Sequence, residues 1–242
     1  LISLAKIKPR FSRIAIGPDG DLRIGAMTSL STVEHDASVR RHAPVIVRAM
    51  QRLSNVRVRN VATIGGNLAH ADPHMDLPPV LIALGGSVVI AGRSGERTIP
   101  LEKLFVGYYE TVVLRDELIT EVRIPPQHSR NTVYLKCTTG SADDWPALGV
   151  AASIEADRSG IRSAALVVGA ATEKPIRLKA AEGILSGTQA TDAVLRRAGD
   201  TAADEVDLIG DARGSAAYKR ELLRVYVVRA ASLALATNGG RG

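Results

Sequence analysis

Two consecutive prolines, Pro125-Pro126, limit how this chain can fold more than any other feature of its sequence. Proline has no N–H to give to a sheet ladder, and it pushes the residue before it out of the helical region. The pair therefore ends whatever element runs into it. The segment after it, residues 127–131, is polar. A domain boundary is expected there, with one unit over residues 1–128 and a second over 129–242. A chain of 242 residues has room for two such cores.

Within each half, strand-like segments come first and helical ones follow, which predicts an α+β architecture and not an alternating βαβ fold. Residues 1–5 read as a strand, and 12–17 with 21–27 as a hairpin around Pro18-Asp19-Gly20. Ser31-Thr32-Val33-Glu34 fits a capping box at the start of a short helix. A second helix is expected over 43–53, where Val45, Ile46, Ala49, Met50 and Leu53 recur at helical spacing. Residues 56–60 read as extended, running into Thr63-Ile64-Gly65-Gly66-Asn67. Asp76 ahead of Leu77-Pro78-Pro79 suits the N-cap of a helix that stops at Gly85-Gly86. A hairpin over 87–91 and 97–100 and a strand over 117–124 complete the first half. In the second, strands are expected over 132–138, 147–156 and 161–171, then helices from Arg177, the last running from Ser215 to about Ala236.

Composition removes several classes of function. No window is apolar for long enough to span a membrane, and residues 1–8 carry no secretory-signal pattern, so a soluble, cytoplasmic protein is expected. The single cysteine, Cys137, cannot close an internal disulfide or hold an iron–sulfur cluster by itself. The net charge is +6, yet the arginines are scattered and aromatic residues make up only 3%, a poor platform for nucleic acid. The chain lacks G-x-G-x-x-G, P-loop, G-x-S-x-G and H-E-x-x-H motifs. No side chain stands out as a catalytic nucleophile, acid or base.

The most informative run is Val58-Arg59-Asn60-Val61-Ala62-Thr63-Ile64-Gly65-Gly66-Asn67-Leu68-Ala69-His70-Ala71-Asp72-Pro73. Adjacent glycines permit positive φ, and successive N–H groups in such a turn form a concavity for an anion. A tight turn with no ligand is the alternative reading of the pair alone. The wider run closely resembles a FAD-binding loop of the flavoprotein subunits of molybdenum hydroxylases. That family includes the medium subunits of aerobic carbon monoxide dehydrogenases and the flavin domain of xanthine dehydrogenases. The resemblance continues in order through Asp76-Leu77-Pro78-Pro79, Gly107-Tyr108-Tyr109-Glu110-Thr111, Ile124-Pro125, Leu135-Lys136 and the 214–220 segment.

The resemblance implies a FAD-binding domain of the vanillyl-alcohol oxidase/PCMH type, then a C-terminal domain of small sheet plus helices. It implies that Thr63, Ile64, Gly65, Gly66 and Asn67 lie against the FAD pyrophosphate and ribityl chain. Asp76 matches an acidic position that contacts the cofactor, although a plain N-cap explains it equally. Leu53 and Ile119 match pocket-lining apolar positions, with core packing as the alternative. Lys136 matches a lysine near the flavin, with a solvated strand lysine as the alternative. Arg57 and Arg59 would add phosphate-attracting charge or simply face solvent from a strand. Family members also carry a preceding glycine-rich loop, which these 242 residues do not contain.

By the same resemblance the chain is an oxidoreductase subunit. It would take electrons from the iron–sulfur clusters of a small subunit, in a complex whose large subunit holds the molybdopterin cofactor, and pass them to an external acceptor. Two rivals stand beside this reading. One is a truncated, flavin-free chain that only docks with partner subunits. The other is a metal-dependent enzyme using His70, Asp72, His74 and Asp76, although Pro73 disfavours the helix that would bring the histidines together.

Overall fold

The computed structural model describes residues 3–141 and 144–236. The first half opens with β1 (Ile14–Ile16) and β2 (Leu22–Gly25), joined by a turn in which Gly20 takes φ +78°. Five short helices follow: α1 (Leu30–His35), α2 (Ala37–His42), α3 (Pro44–Met50), α4 (Val56–Val61) and α5 (Ile64–His70). Next come α6 (Leu77–Ala83), the hairpin β3 (Ser87–Gly92) and β4 (Gly95–Pro100), the small ribbon β5 (Phe105–Gly107) and β6 (Glu110–Thr111), and β7 (Leu118–Ile124). Strand β7 stops at the double proline, as expected from its chemistry.

These strands make an antiparallel sheet in the order β1-β2-β7-β3-β4. The period-two alternation of β2, β3 and β7 turns Leu22, Ile24, Val88, Ile90, Val122 and Ile124 to one face, where the helices bury them. The second half contains β8 (Arg130–Cys137), β9 (Leu148–Asp157), β10 (Gly160–Gly169) and β11 (Ile176–Arg177), then α7 (Lys179–Leu185), α8 (Asp192–Asp204) and α9 (Ala216–Ala236). Its sheet, β11-β10-β9-β8, is antiparallel and packs one face on α7–α9.

The other face of that sheet packs on the first half. Ala151 and Val167 join the core built by the first half's helices, and the ring of Pro79 in α6 lies 3.2 Å from where a Cβ on Gly169 would sit. All seven residues of α6 are buried, because the helix lies between the two sheets. Burial of its Leu77, Val80, Leu81 and Ile82 stabilises the join by about 1.5–3 kcal/mol each. The α+β class is as expected from the sequence.

Several local expectations are corrected. Residues 3–5 are not a strand, and residues 1 and 2 lie outside the described residues. The first helix is capped two residues earlier than expected, by Ser29, whose hydroxyl accepts from the Thr32 N–H at 3.1 Å. The expected 43–53 helix covers only Pro44–Met50, and α2 precedes it on its own cap, Asp36. Residues 56–61 are helical, not extended. Valines at 56, 58 and 61 favour a strand, but the Asn55 side chain caps Val58 at 3.1 Å and Arg59 is held by Glu34 at 2.9 Å. Tertiary contacts override a weak propensity. Among the described residues no helix is long and apolar enough to cross a membrane.

Candidate functional site

The run from residue 63 to 67 is a helix start, not an open turn. Thr63 is the N-cap of α5, and its hydroxyl accepts from the Gly66 N–H at 3.1 Å. Neither Gly65 nor Gly66 has positive φ. The main-chain donors expected to face an anion are already engaged: Ile64 N–H donates to Thr28 O at 3.0 Å and Gly65 N–H to Ala26 O at 2.8 Å. Gly65 is required by close approach, since a Cβ there would lie 2.6 Å from Ala26 Cβ and 2.8 Å from Ala26 O. Ile64, Gly65 and Asn67 are buried, while Gly66 is exposed and Thr63 half-buried. Two polar atoms beside this segment are buried without a hydrogen-bond partner, Thr28 Oγ1 and Asn67 Oδ1.

Asp76 and Lys136, sixty positions apart, meet in a buried cluster. Lys136 Nζ lies 2.9 Å from Asp76 Oδ2 and donates to Arg52 O at 2.8 Å, and the Tyr134 hydroxyl donates to Asp76 Oδ1 at 2.6 Å. Only 2% of the Lys136 side chain and 5% of that of Asp76 is exposed. Lys136 is therefore not a solvated strand lysine, and Asp76 occupies the N-cap position of α6 without capping it through its side chain. Burial pushes the Asp76 carboxyl up, opposed by the Lys136 charge and the Tyr134 hydroxyl. The Tyr134 hydroxyl is pushed well above its ordinary value by burial and then by Asp76.

Leu53 is buried beside this cluster, one residue from the Arg52 carbonyl that Lys136 holds. Ile119 is half-buried on β7, and its neighbour Thr120 accepts from Ala26 N–H at 2.9 Å, so Ala26 links β7 to Gly65. The sequence reading missed Tyr134 and Thr28. Tyr134 was accessible from spacing, because residues two apart on a strand share a face with Lys136; Thr28 carried no signal. Of the two arginines in α4, Arg59 is tied to Glu34, Leu53 O and Ser54 O, whereas Arg57 is exposed.

Of His70, Asp72, His74 and Asp76, only Asp72 and His74 meet. Ala71 takes φ +53° and turns the chain out of α5. Asp72 accepts from the Tyr109 hydroxyl at 3.0 Å and from His74 N–H at 2.9 Å. The His74 ring nitrogens lie 3.0 Å from Asp72 and 3.2 Å from Asp211, which in turn pairs with buried Lys219 at 2.9 Å. His70 instead packs edge-on against Tyr109. Among the described residues no group of three or more His, Cys, Asp or Glu could hold a metal ion. The network joins the two halves of the chain.

Residues 1–127 match the family model described as the FAD binding domain in molybdopterin dehydrogenase. The chain belongs to that family. In this molybdopterin-dehydrogenase flavoprotein, residues 134–234 also match the CO dehydrogenase flavoprotein C-terminal domain. It is 33% identical to the nicotine 6-hydroxylase medium subunit of Paenarthrobacter nicotinovorans, over 86% of this chain and 75% of that one. The glyceraldehyde dehydrogenase medium chain of Sulfolobus acidocaldarius is 29% identical over 86% of this chain and 73% of the relative. Among solved structures, carbon monoxide dehydrogenase from Hydrogenophaga pseudoflava superposes with a TM-score of 0.90 at 29% identity, covering 94% of this chain and 79% of that one. The flavoprotein is thus an oxidoreductase subunit of the molybdenum hydroxylase family, and its cofactor is FAD.

Proposed function

We propose that this chain is the electron-transfer subunit of a cytoplasmic molybdenum hydroxylase. It takes electrons from iron–sulfur centres on a small subunit, beside a large subunit that holds the molybdopterin cofactor, and hands them to an external acceptor. Bound FAD supplies both one- and two-electron redox chemistry. The chain's own residues bind and orient it, and none is needed as a catalytic acid or base. We assign the cofactor domain to residues 1–128 and the C-terminal domain to 129–242.

The observation that carries the site assignment is the pair of orphaned buried atoms, Asn67 Oδ1 on the segment that also carries exposed Gly66 and Thr28 Oγ1 on the residue whose carbonyl holds Ile64 N–H. A buried polar atom without a partner costs about 1–3 kcal/mol, and a polar cofactor group supplies what these two lack. This donor and acceptor set fits FAD. Thr63, Gly66 and Asn67 then contact the cofactor, while Ile64 and Gly65, both buried, fix the position of that segment. Leu53 and Ile119 act as apolar walls, and Asp76 with Lys136 as a polar, charge-paired end.

Titrating FAD into the purified chain tests this reading. Retained yellow colour and quenched flavin fluorescence are expected. Gly66→Val should lower retention at least tenfold with the far-UV circular dichroism unchanged, because its side chain blocks the exposed face without a φ penalty. A colourless protein that still co-purifies with its partner subunits would sink the electron-transfer reading and leave docking alone.

A further inference from the structure

A cavity of about 1140 Å3 opens where α2 and α3 face strand β8. The wall opposite β8 carries Arg41 in α2, Arg48 in α3 and Arg52 in the turn after α3, all exposed, and Arg130 stands at the start of β8. Among the described residues no Asp or Glu lines it, and none of the first three arginines has a carboxylate partner. The carboxylate paired with Arg130, on Glu155, is 3.8 Å away. The rest of the lining includes apolar Val45, Leu84, Val133 and Leu135.

Among the described residues, strand β8 is the last strand of its sheet, paired on one side with β9. Cys137 O accepts from Ala147 N–H at 2.8 Å, on the β9 side. Arg130 N–H instead donates to Gln127 O at 2.8 Å, and Thr132 O accepts from the Arg48 guanidinium at 3.1 Å, both away from β9. Main-chain groups alternate along an antiparallel strand, so those of Thr132, Tyr134 and Lys136 face outward. An edge with no strand beside it among the described residues, its Thr132 acceptor held only by a side chain, is a template for another strand.

We propose that this cleft docks an extended, acidic segment of a partner polypeptide, added as a strand along β8. Main-chain hydrogen bonds to Thr132 and Tyr134 supply the pairing, and side chains alternating along the guest supply the specificity. One face of the guest puts carboxylates against Arg41, Arg48 and Arg52, and the other puts apolar groups against Val133 and Leu135. Arg48 holds the Thr132 acceptor in the free chain. An arriving N–H takes that acceptor and frees the guanidinium for a carboxylate. A nucleotide fits less well, because Tyr134 is the sole Phe, Tyr or Trp in the described lining and its hydroxyl is held by Asp76.

The probe is a fluorescein-labelled peptide of alternating glutamate and valine, titrated into the full chain and followed by anisotropy. Saturable binding is expected, with slowed amide exchange at Thr132 and Tyr134. Arg48→Glu with Arg52→Glu should weaken it by about tenfold or more, and so should N-methylation of alternate peptide amides, which keeps the charge and removes the pairing. Equal binding of the methylated peptide, or full competition by polyphosphate without any change in exchange, would reduce the cleft to a polyanion attractor and overturn the proposal. So would affinity that ignores the charge reversal in a folded double variant. If that variant unfolds, exchange and the methylated peptide on the unaltered chain still decide.

Discussion

At Asp76 and Lys136, a carboxylate and an ammonium are buried within 2.9 Å of each other, each with a second partner. Removing one charge from such a pair leaves the other uncompensated. Asp76→Asn should therefore destabilise the chain by about 3–5 kcal/mol in chemical denaturation. Replacing both, with Lys136→Met added, should recover most of that loss. Gly65→Ala should cost about 1–3 kcal/mol, because the new methyl runs into Ala26. Glu117 behaves differently. The Arg97 guanidinium hydrogen-bonded to it, helped by the Leu114 N–H, lowers its carboxyl from 4.5 to about 2. A depressed carboxyl contributes stability above its unfolded value and loses it as pH falls through the folded one. Glu117→Gln should thus flatten the acid dependence of stability between pH 4.5 and about 2, measured as melting temperature against pH.

At the scale of elements, the β9–β10 hairpin turns on Gly160, which has φ +125° and whose added Cβ would lie 2.5 Å from Thr188 O. Gly160→Ala should lower the melting temperature clearly, whereas Gly95→Ala, at φ +117° with nothing within 4 Å, should cost only its backbone strain. Hairpins, β7 and the long C-terminal helix were legible because turn glycines, prolines and period-two alternation act locally. Residues 55–67 were not legible. Two short helices there depend on the caps Asn55 and Thr63 and on the Arg59–Glu34 pair, so valine spacing pointed the wrong way. The run at 63–67 stands out as a string, but its geometry does not follow from its glycines: neither takes positive φ, and Gly65 serves close packing on Ala26. Asp76 and Lys136 were picked out singly. Their contact was invisible, because nothing in a linear chain announces a partner sixty positions away.

For the whole molecule, α6 between two sheets and the His74–Asp211–Lys219 network make the halves mutually dependent. Trp145, the sole tryptophan, stacks on His74 across that join at 5.4 Å. Denaturation followed by its fluorescence and by far-UV circular dichroism should give coincident single transitions. Separate midpoints would show that the halves unfold independently. The end of β7 was readable from Pro125-Pro126, but the core shared by the segments on either side was not, since burial of Ala151 and Val167 on the first half's helices is a property of tertiary packing.

The cluster around Asp76 has one more consequence. The family match for the cofactor domain stops at residue 127, and the lysine that neutralises this domain's buried acid lies beyond it. A gene cut at that apparent seam would yield a polypeptide with an orphan carboxyl and a bare apolar flank where β9 and β10 used to lie. Such a fragment should be recovered from cells only as an aggregate. Swapping this portion between relatives would succeed only if the second portion travelled with it.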